Sequence, residues 1–264
     1  MFFEDLEFKD KEIPKTILGY GPFMAELYFG HRSRIYQLDL YESPQNIAEV
    51  IVESYNQGIR AINLVNDANL LEAYDLAVEQ DCKMKVIATI GKSDVDYLNP
   101  NYEVAKEVDW DDDITLFSKY DCPLMLVDEF IVDGYDWKLT SKILSEINTT
   151  GALSGLVTAF PSKTTDLLPD NLDMDLFDFY MIPFNSLSYM MDISAFNASQ
   201  REDFKQRLVS LNKKVIATRV LAAGVLPPKD AFEFLKKIDY VDLISLGVAK
   251  VEEASEDFSL LKEY

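Results

Sequence analysis

Two carboxylates stand side by side in LMLVDEF, Asp128 and Glu129, directly after an apolar run. Neighbouring residues of an extended chain point to opposite sides, so one of the two faces whatever cleft the run ends in. Lys92 follows a second run, VIATIG, and Asn63 lies near the end of a third. An Asp, a Lys and an Asn gathered at strand ends suit proton transfer, and Asp128 alone suits Mg²⁺ ligation. The competing reading is a buried Asp–Lys ion pair with no chemistry. Basic groups carry the second signal. The chain has six arginines, of which Arg32 and Arg34 share one long segment and Arg219 lies in VIATRVL. Lys92, Lys163 and Lys250 follow other apolar runs, and Asp94 lies close by. Cations at the mouth of an acidic protein attract a small phosphate or carboxylate. Arg219, Arg32, His31, Thr158 and Asn185 are the expected ligand contacts, with pairing to nearby carboxylates as the alternative for the cations.

His31 is the single histidine. Catalytic zinc centres that need two or more histidines are thereby excluded. A Ser-His-Asp triad would have to use His31, and no G-x-S-x-G turn accompanies it. No metal site is read from the sequence.

These residues need a frame that brings strand ends together. The runs VIATI, LMLV, GLVTAF, VIATRVL and VDLISL are continuously apolar, as in strands covered on both faces. Helix-like runs alternate with them. Ser43 and Pro44 open one helix and Gly58 lies past its end. The pattern predicts strands at Lys15–Gly21, Arg60–Val65, Met84–Ile90, Leu124–Phe130, Leu153–Phe160, Phe177–Asn185, Lys214–Leu221 and Val241–Leu246. That is an α/β single-domain (β/α)₈ TIM barrel over residues 1–264, with a short N-terminal extension at 1–14. Such barrels carry their sites at the C-terminal strand ends. Pro22–Glu42 reads as a long functional loop, Ser162–Met174 as a poorly defined helix, and Asp109–Asp113 as the solvated start of a helix. An open doubly wound sheet is the second choice, but no G-x-G-x-x-G opens a helix.

The net charge of −21 disfavours nucleic acid and anionic membranes as partners. A small molecule is the expected partner. No apolar run reaches ~18 residues. The start, MFFEDLEFKD, is acidic where a signal peptide is basic, and Cys82 and Cys122 are too few for a disulfide framework. The expected location is cytoplasmic.

Several segments, in order, resemble the aldo/keto reductases: GIRAIN (58–63), VIATIG (86–91), MIPFN (181–185), VLAAGVL (220–226) and GVAKVEEASED (247–257). The resemblance implies a (β/α)₈ barrel that reduces carbonyls with NADPH. It also implies departures. The family's Asp falls on Asn63, its Lys on Ile90, its His on Asp128, and its Tyr near Asp67 or Ala68, with no tyrosine there. The Gln of strand six becomes Met181. At the last cofactor segment Lys250 is left to hold a nucleotide, and Asp257 would repel its phosphate. Three functions follow: a divergent reductase acting on a small anionic metabolite, a non-redox lyase or isomerase using Asp128 and Lys92, and a non-catalytic binding or assembly subunit.

Overall fold

The computed structural model describes residues 2–93, 95, 97, 99–194 and 196–264. The chain opens with an antiparallel hairpin, β1 (Asp5–Phe8) and β2 (Lys11–Pro14), in which Leu6 pairs with Ile13. Eight parallel strands follow: β3 (Thr16–Leu18), β4 (Ala61–Leu64), β5 (Lys85–Ile90), β6 (Leu124–Val127), β7 (Leu153–Val157), β8 (Phe179–Pro183), β9 (Lys214–Thr218) and β10 (Leu243–Leu246). Each pairs with the next in sequence, and β10 pairs back onto β3 to close a barrel.

The alternation of strand side chains builds two cores. Ile17, Ala61, Ile87, Leu124, Phe179 and Ile216 point into the barrel, and Ile13, Leu6 and Phe8 of the hairpin pack against them from the N-terminal end. Their neighbours Ile62, Val86, Met125 and Ile244 point outward into the helices. Each such fully buried aliphatic side chain contributes roughly 1.5–3 kcal/mol. The helix Pro44–Asn56 has proline in its first turn and Ser43 at its N-cap position. The helix Ala68–Val78 begins where the Asp67 side chain accepts from Leu70 N at 2.9 Å. Among the described residues no helix is long and apolar enough to cross a membrane.

Four local expectations change. Pro22–Glu42 is largely helical, with a 3-10 turn at Leu27–Phe29, an α-helix at His31–Tyr36 and a π-helical turn at Gln37–Tyr41. Gly30, at φ +62, starts that helix, and the Ser33 hydroxyl ties it back to the Ala25 carbonyl. Residues 161–171 form an α-helix opened by Pro161, with Pro169 in its last turns. The run Asp109–Asp113 does start a helix, but Asp113 is buried. Its carboxylate accepts from Gly91 N at 2.7 Å and Asn66 Nδ2 at 2.8 Å, tying two strand-end loops together. Finally, β6 ends at Val127, so Asp128 and Glu129 leave the strand. Asp128 caps a single helical turn, Glu129–Val132, and accepts from Phe130 N at 3.0 Å.

Candidate ligand-binding site

The last inward side chains of the strands form the floor of a cavity of about 340 Å³ at the C-terminal mouth. Asn63, Thr89, Val157, Met181, Thr218 and Ser245 compose it. Asn63 is fixed there because its Nδ2 donates to Ile87 O at 2.7 Å and to Thr89 Oγ1 at 3.0 Å.

One wall is a buried ion-pair network. Thr218, the last residue of β9, points into the cavity floor, so an extended chain would turn Arg219 outward. Arg219 instead adopts φ +53, in the left-handed region, and its side chain lines the cavity. A non-glycine residue held there costs of order 1–3 kcal/mol and needs external restraint. Asn185 supplies it, donating from Nδ2 to Arg219 O at 3.2 Å. Arg219 Nη2 donates to Glu129 Oε1 at 2.8 Å and Oε2 at 2.9 Å, with side chains only 4% and 6% exposed. The Tyr97 hydroxyl also donates to Glu129. The guanidinium lies 4.6 Å from the Tyr28 ring centre and 5.5 Å from that of Tyr97. Its Nη1 is buried with no hydrogen-bond partner among the described residues.

Behind this wall Lys92 Nζ lies 3.0 Å from Glu26 Oε1. The two side chains form a buried ion pair, 14% and 7% exposed. Desolvation works against the charged Lys92, but Glu26 and Asp128 outweigh it and hold its pKa above the usual range. Burial pushes Asp128 up to about 7, partly countered by Lys92.

The opposite wall carries Arg32, Tyr36, Glu253 and Asp257. Arg32 lies beside Tyr36 and packs on Gly224, where a Cβ would sit 1.7 Å from Arg32 Nη1. Gly224 is therefore both a left-handed position, φ +77, and the space the guanidinium fills. Glu253 Oε2 accepts from Ala249 N at 2.9 Å, within the turn that starts the helix Val251–Leu261. Burial, with Glu253 and Glu256 nearby, pushes Asp257 up to about 6.

No family model and no curated protein sequence matches the chain. Solved structures do. A putative aldo-keto reductase from Pseudomonas aeruginosa superposes with TM-score 0.63 at 14% identity, over 98% of this chain and 95% of that one. An aldo/keto reductase from Klebsiella pneumoniae, in complex with NADP and acetate, gives TM-score 0.56 at 13% identity, over 96% and 87%. This chain has the aldo-keto reductase fold.

Within that fold the expected site residues separate into three groups. Asn63, Arg219 and Arg32 line the cavity. Asp128 and Lys92 stand behind it, and the close partner of Lys92 is Glu26 rather than Asp128. The rest are elsewhere. Thr158 is fully buried and gives its hydroxyl to Asp133. Asn185 is consumed by the backbone of residues 187, 189 and 219. His31 is exposed at the start of its helix, and Lys250 is exposed at the N-cap of the last helix. Asp94 lies outside the described residues. Sequence reasoning overlooked Glu26, Tyr97, Glu253 and the pairing role of Glu129. Glu26 looked like one more acid in an acidic chain. For Glu129 a signal existed: a carboxylate next to a strand-end Asp, in a protein with few arginines.

Two outcomes are expected. Glu129→Gln leaves Arg219 buried without a counter-charge and should cost about 3–5 kcal/mol in urea unfolding. Arg219→Met with Glu129→Met should recover most of that loss; a double variant as weak as the sum of its parts would contradict the pairing. The second concerns pH. Asp128 and Asp133 titrate near 7 in the fold, both raised chiefly by burial, against about 3.9 when unfolded. The folded state then holds protons that the unfolded chain releases. Stability from these groups is complete below pH ~3.9 and is lost as pH rises through about 7. Wild type should lose stability between pH 5 and 8, and Asp128→Asn should lose less; equal losses would contradict it.

Proposed function

We propose that this aldo-keto reductase-like barrel binds the carboxylate or phosphate of a small metabolite at its mouth and does not reduce carbonyls by the route the family resemblance implies. The observation that carries the reading is Arg219: a buried guanidinium lining the cavity, with Nη2 spent on Glu129 and Nη1 without an acceptor. A buried unsatisfied donor costs of order 1–3 kcal/mol, and a shift of the guanidinium that brings Nη1 against a ligand oxygen would relieve it. Arg32, on the opposite wall, supplies a second cation. Guanidinium groups favour planar anions because they present paired donors.

The absence of carbonyl reduction rests on three tyrosines. Tyr20 and Tyr28 line the cavity with Tyr97. Burial pushes all three phenols above the usual range, and nearby carboxylates of Glu26 and Glu129 add to the shift. A phenol so shifted is a weak proton donor. Asn63, Ile90 and Asp128 stand where the resemblance puts the reductase's Asp, Lys and His.

The Klebsiella protein of this fold holds NADP and acetate. Acetate is a ligand of the proposed class. The residues here do not fit NADP. In the segment resembling the family's last cofactor stretch, the Ala249 N–H is taken by Glu253, and Asp257 adds a second carboxylate on the same wall. Both would repel a nucleotide phosphate, and Met181 offers no amide to hold a carboxamide.

Calorimetric titration with acetate, propanoate and inorganic phosphate tests the reading. Wild type should bind at least one of them, and Arg219→Met/Glu129→Met should weaken it ten-fold or more. Gly224→Ala, which displaces Arg32, should weaken it as well. No binding to wild type, or unchanged binding in both variants, would overturn the proposal.

A further inference from the structure

We infer that the ligand carries a row of hydroxyl groups behind its carboxylate or phosphate, and that the barrel floor binds them. The inference rests on the proposed anion site and specifies the rest of the molecule. The floor is divided. Thr218, Ser245, Gly19, Asn63 and Thr89 come from the ends of β9, β10, β3, β4 and β5, strands that neighbour one another in that order. Their side chains make a continuous polar arc, interrupted only by the bare Gly19. Val157 and Met181, from β7 and β8, make the apolar remainder. Asn63 Nδ2 is spent on Ile87 and Thr89, which leaves its Oδ1 as an acceptor. That oxygen and the hydroxyls of Thr218 and Ser245 have no hydrogen-bond partner among the described residues. Unlike Arg219 Nη1, they are not sealed from solvent, and they open on the cavity. Gly19 keeps the arc clear. No positive φ demands glycine there, but a Cβ would sit 2.9 Å from Ser245 Oγ and fill the space before it.

The chemistry of the arc selects its occupant. It combines an acceptor with hydroxyls that donate or accept, and it carries no charge. An ammonium or a carboxylate placed there would lose water without meeting a counter-charge. A methylene would displace water and return no hydrogen bond. A hydroxyl donates to Asn63 Oδ1 and accepts from a neighbouring serine or threonine, as the displaced water does. Three strand spacings of about 4.8 Å each separate Thr218 from Asn63 along the arc, so a row of hydroxyls matches it better than one. Thr218 precedes Arg219 in the chain, so a molecule anchored at the guanidinium meets the arc at once. Val157 and Met181 face its carbon skeleton from the other side. The cavity, at about 340 Å³, is within the range of small-molecule sites.

The test is calorimetric titration with acids that keep the carbon skeleton and change only the hydroxyls. Propanoate, lactate and glycerate form one set, hexanoate and gluconate a second, and propyl phosphate and glycerol 3-phosphate a third. In at least one set the most hydroxylated member should bind ten-fold or more tightly than the plain one. Ser245→Ala combined with Thr218→Val removes two open hydroxyls and strips no protein group of a partner. That variant should keep its urea midpoint and reduce the ratio to less than three-fold. Gly19→Ala, which displaces the Ser245 hydroxyl, should shrink the ratio as well and decides the matter if the first variant unfolds. Equal or weaker binding of the hydroxylated members in every set would overturn the inference while leaving the anion site standing. So would a ratio unmoved in the folded variants. No binding by any member would remove the anion site and this inference together.

Discussion

Arg219 and Glu129 meet 2.8 Å apart where almost no solvent reaches either. Removing two such charges from water costs several kcal/mol per ion, and attraction alone does not guarantee repayment. Here the surroundings share the load. Tyr97 donates a further hydrogen bond to Glu129, and the rings of Tyr28 and Tyr97 lie against the guanidinium. Asn185 holds the left-handed backbone that aims Arg219 inward. Residues from the first βα segment and from those after β5, β6, β8 and β9 thus converge on one pair. The mouth of the barrel takes its shape from this convergence, and the orphaned Nη1 is its by-product.

The second constraint is electrostatic balance within a confined space. A cavity with carboxylates on both walls does not welcome a highly charged phosphate chain. Glu253 already occupies the Ala249 amide at the start of the last helix, where a bound anion would gain most from free N–H groups. The same wall carries Arg32, seated on a glycine that leaves it room. The site therefore separates charge rather than concentrating one sign.

The barrel was legible because its strands are buried on both faces and read as unbroken apolar runs. The spacing of VIATI, LMLV and VIATRVL needed little beyond that. Turns at strand ends were harder. Asp128 and Glu129 extend an apolar run in sequence, yet the Asp128 side chain caps the next residues and stops the strand at Val127. Arg219 could not be aimed from sequence, since alternation sends it outward and only the left-handed backbone sends it in. Thr158 and Asn185 sat at the right ends of the right strands. Their short polar side chains met backbone and Asp133 before any ligand. Helical order in residues 27–41 was hidden by glycine and charge, which in isolation favour a loop.

The most direct measurement is titration of the purified protein with NADPH, followed by nicotinamide fluorescence. The account predicts no saturable enhancement or quenching up to millimolar cofactor, because Glu253 and Asp257 line the cavity with negative charge in the segment that the resemblance assigns to its phosphates. Saturable binding at micromolar concentration would contradict it. The mouth would then be a dinucleotide site after all, and Arg219 would have to be understood as part of it.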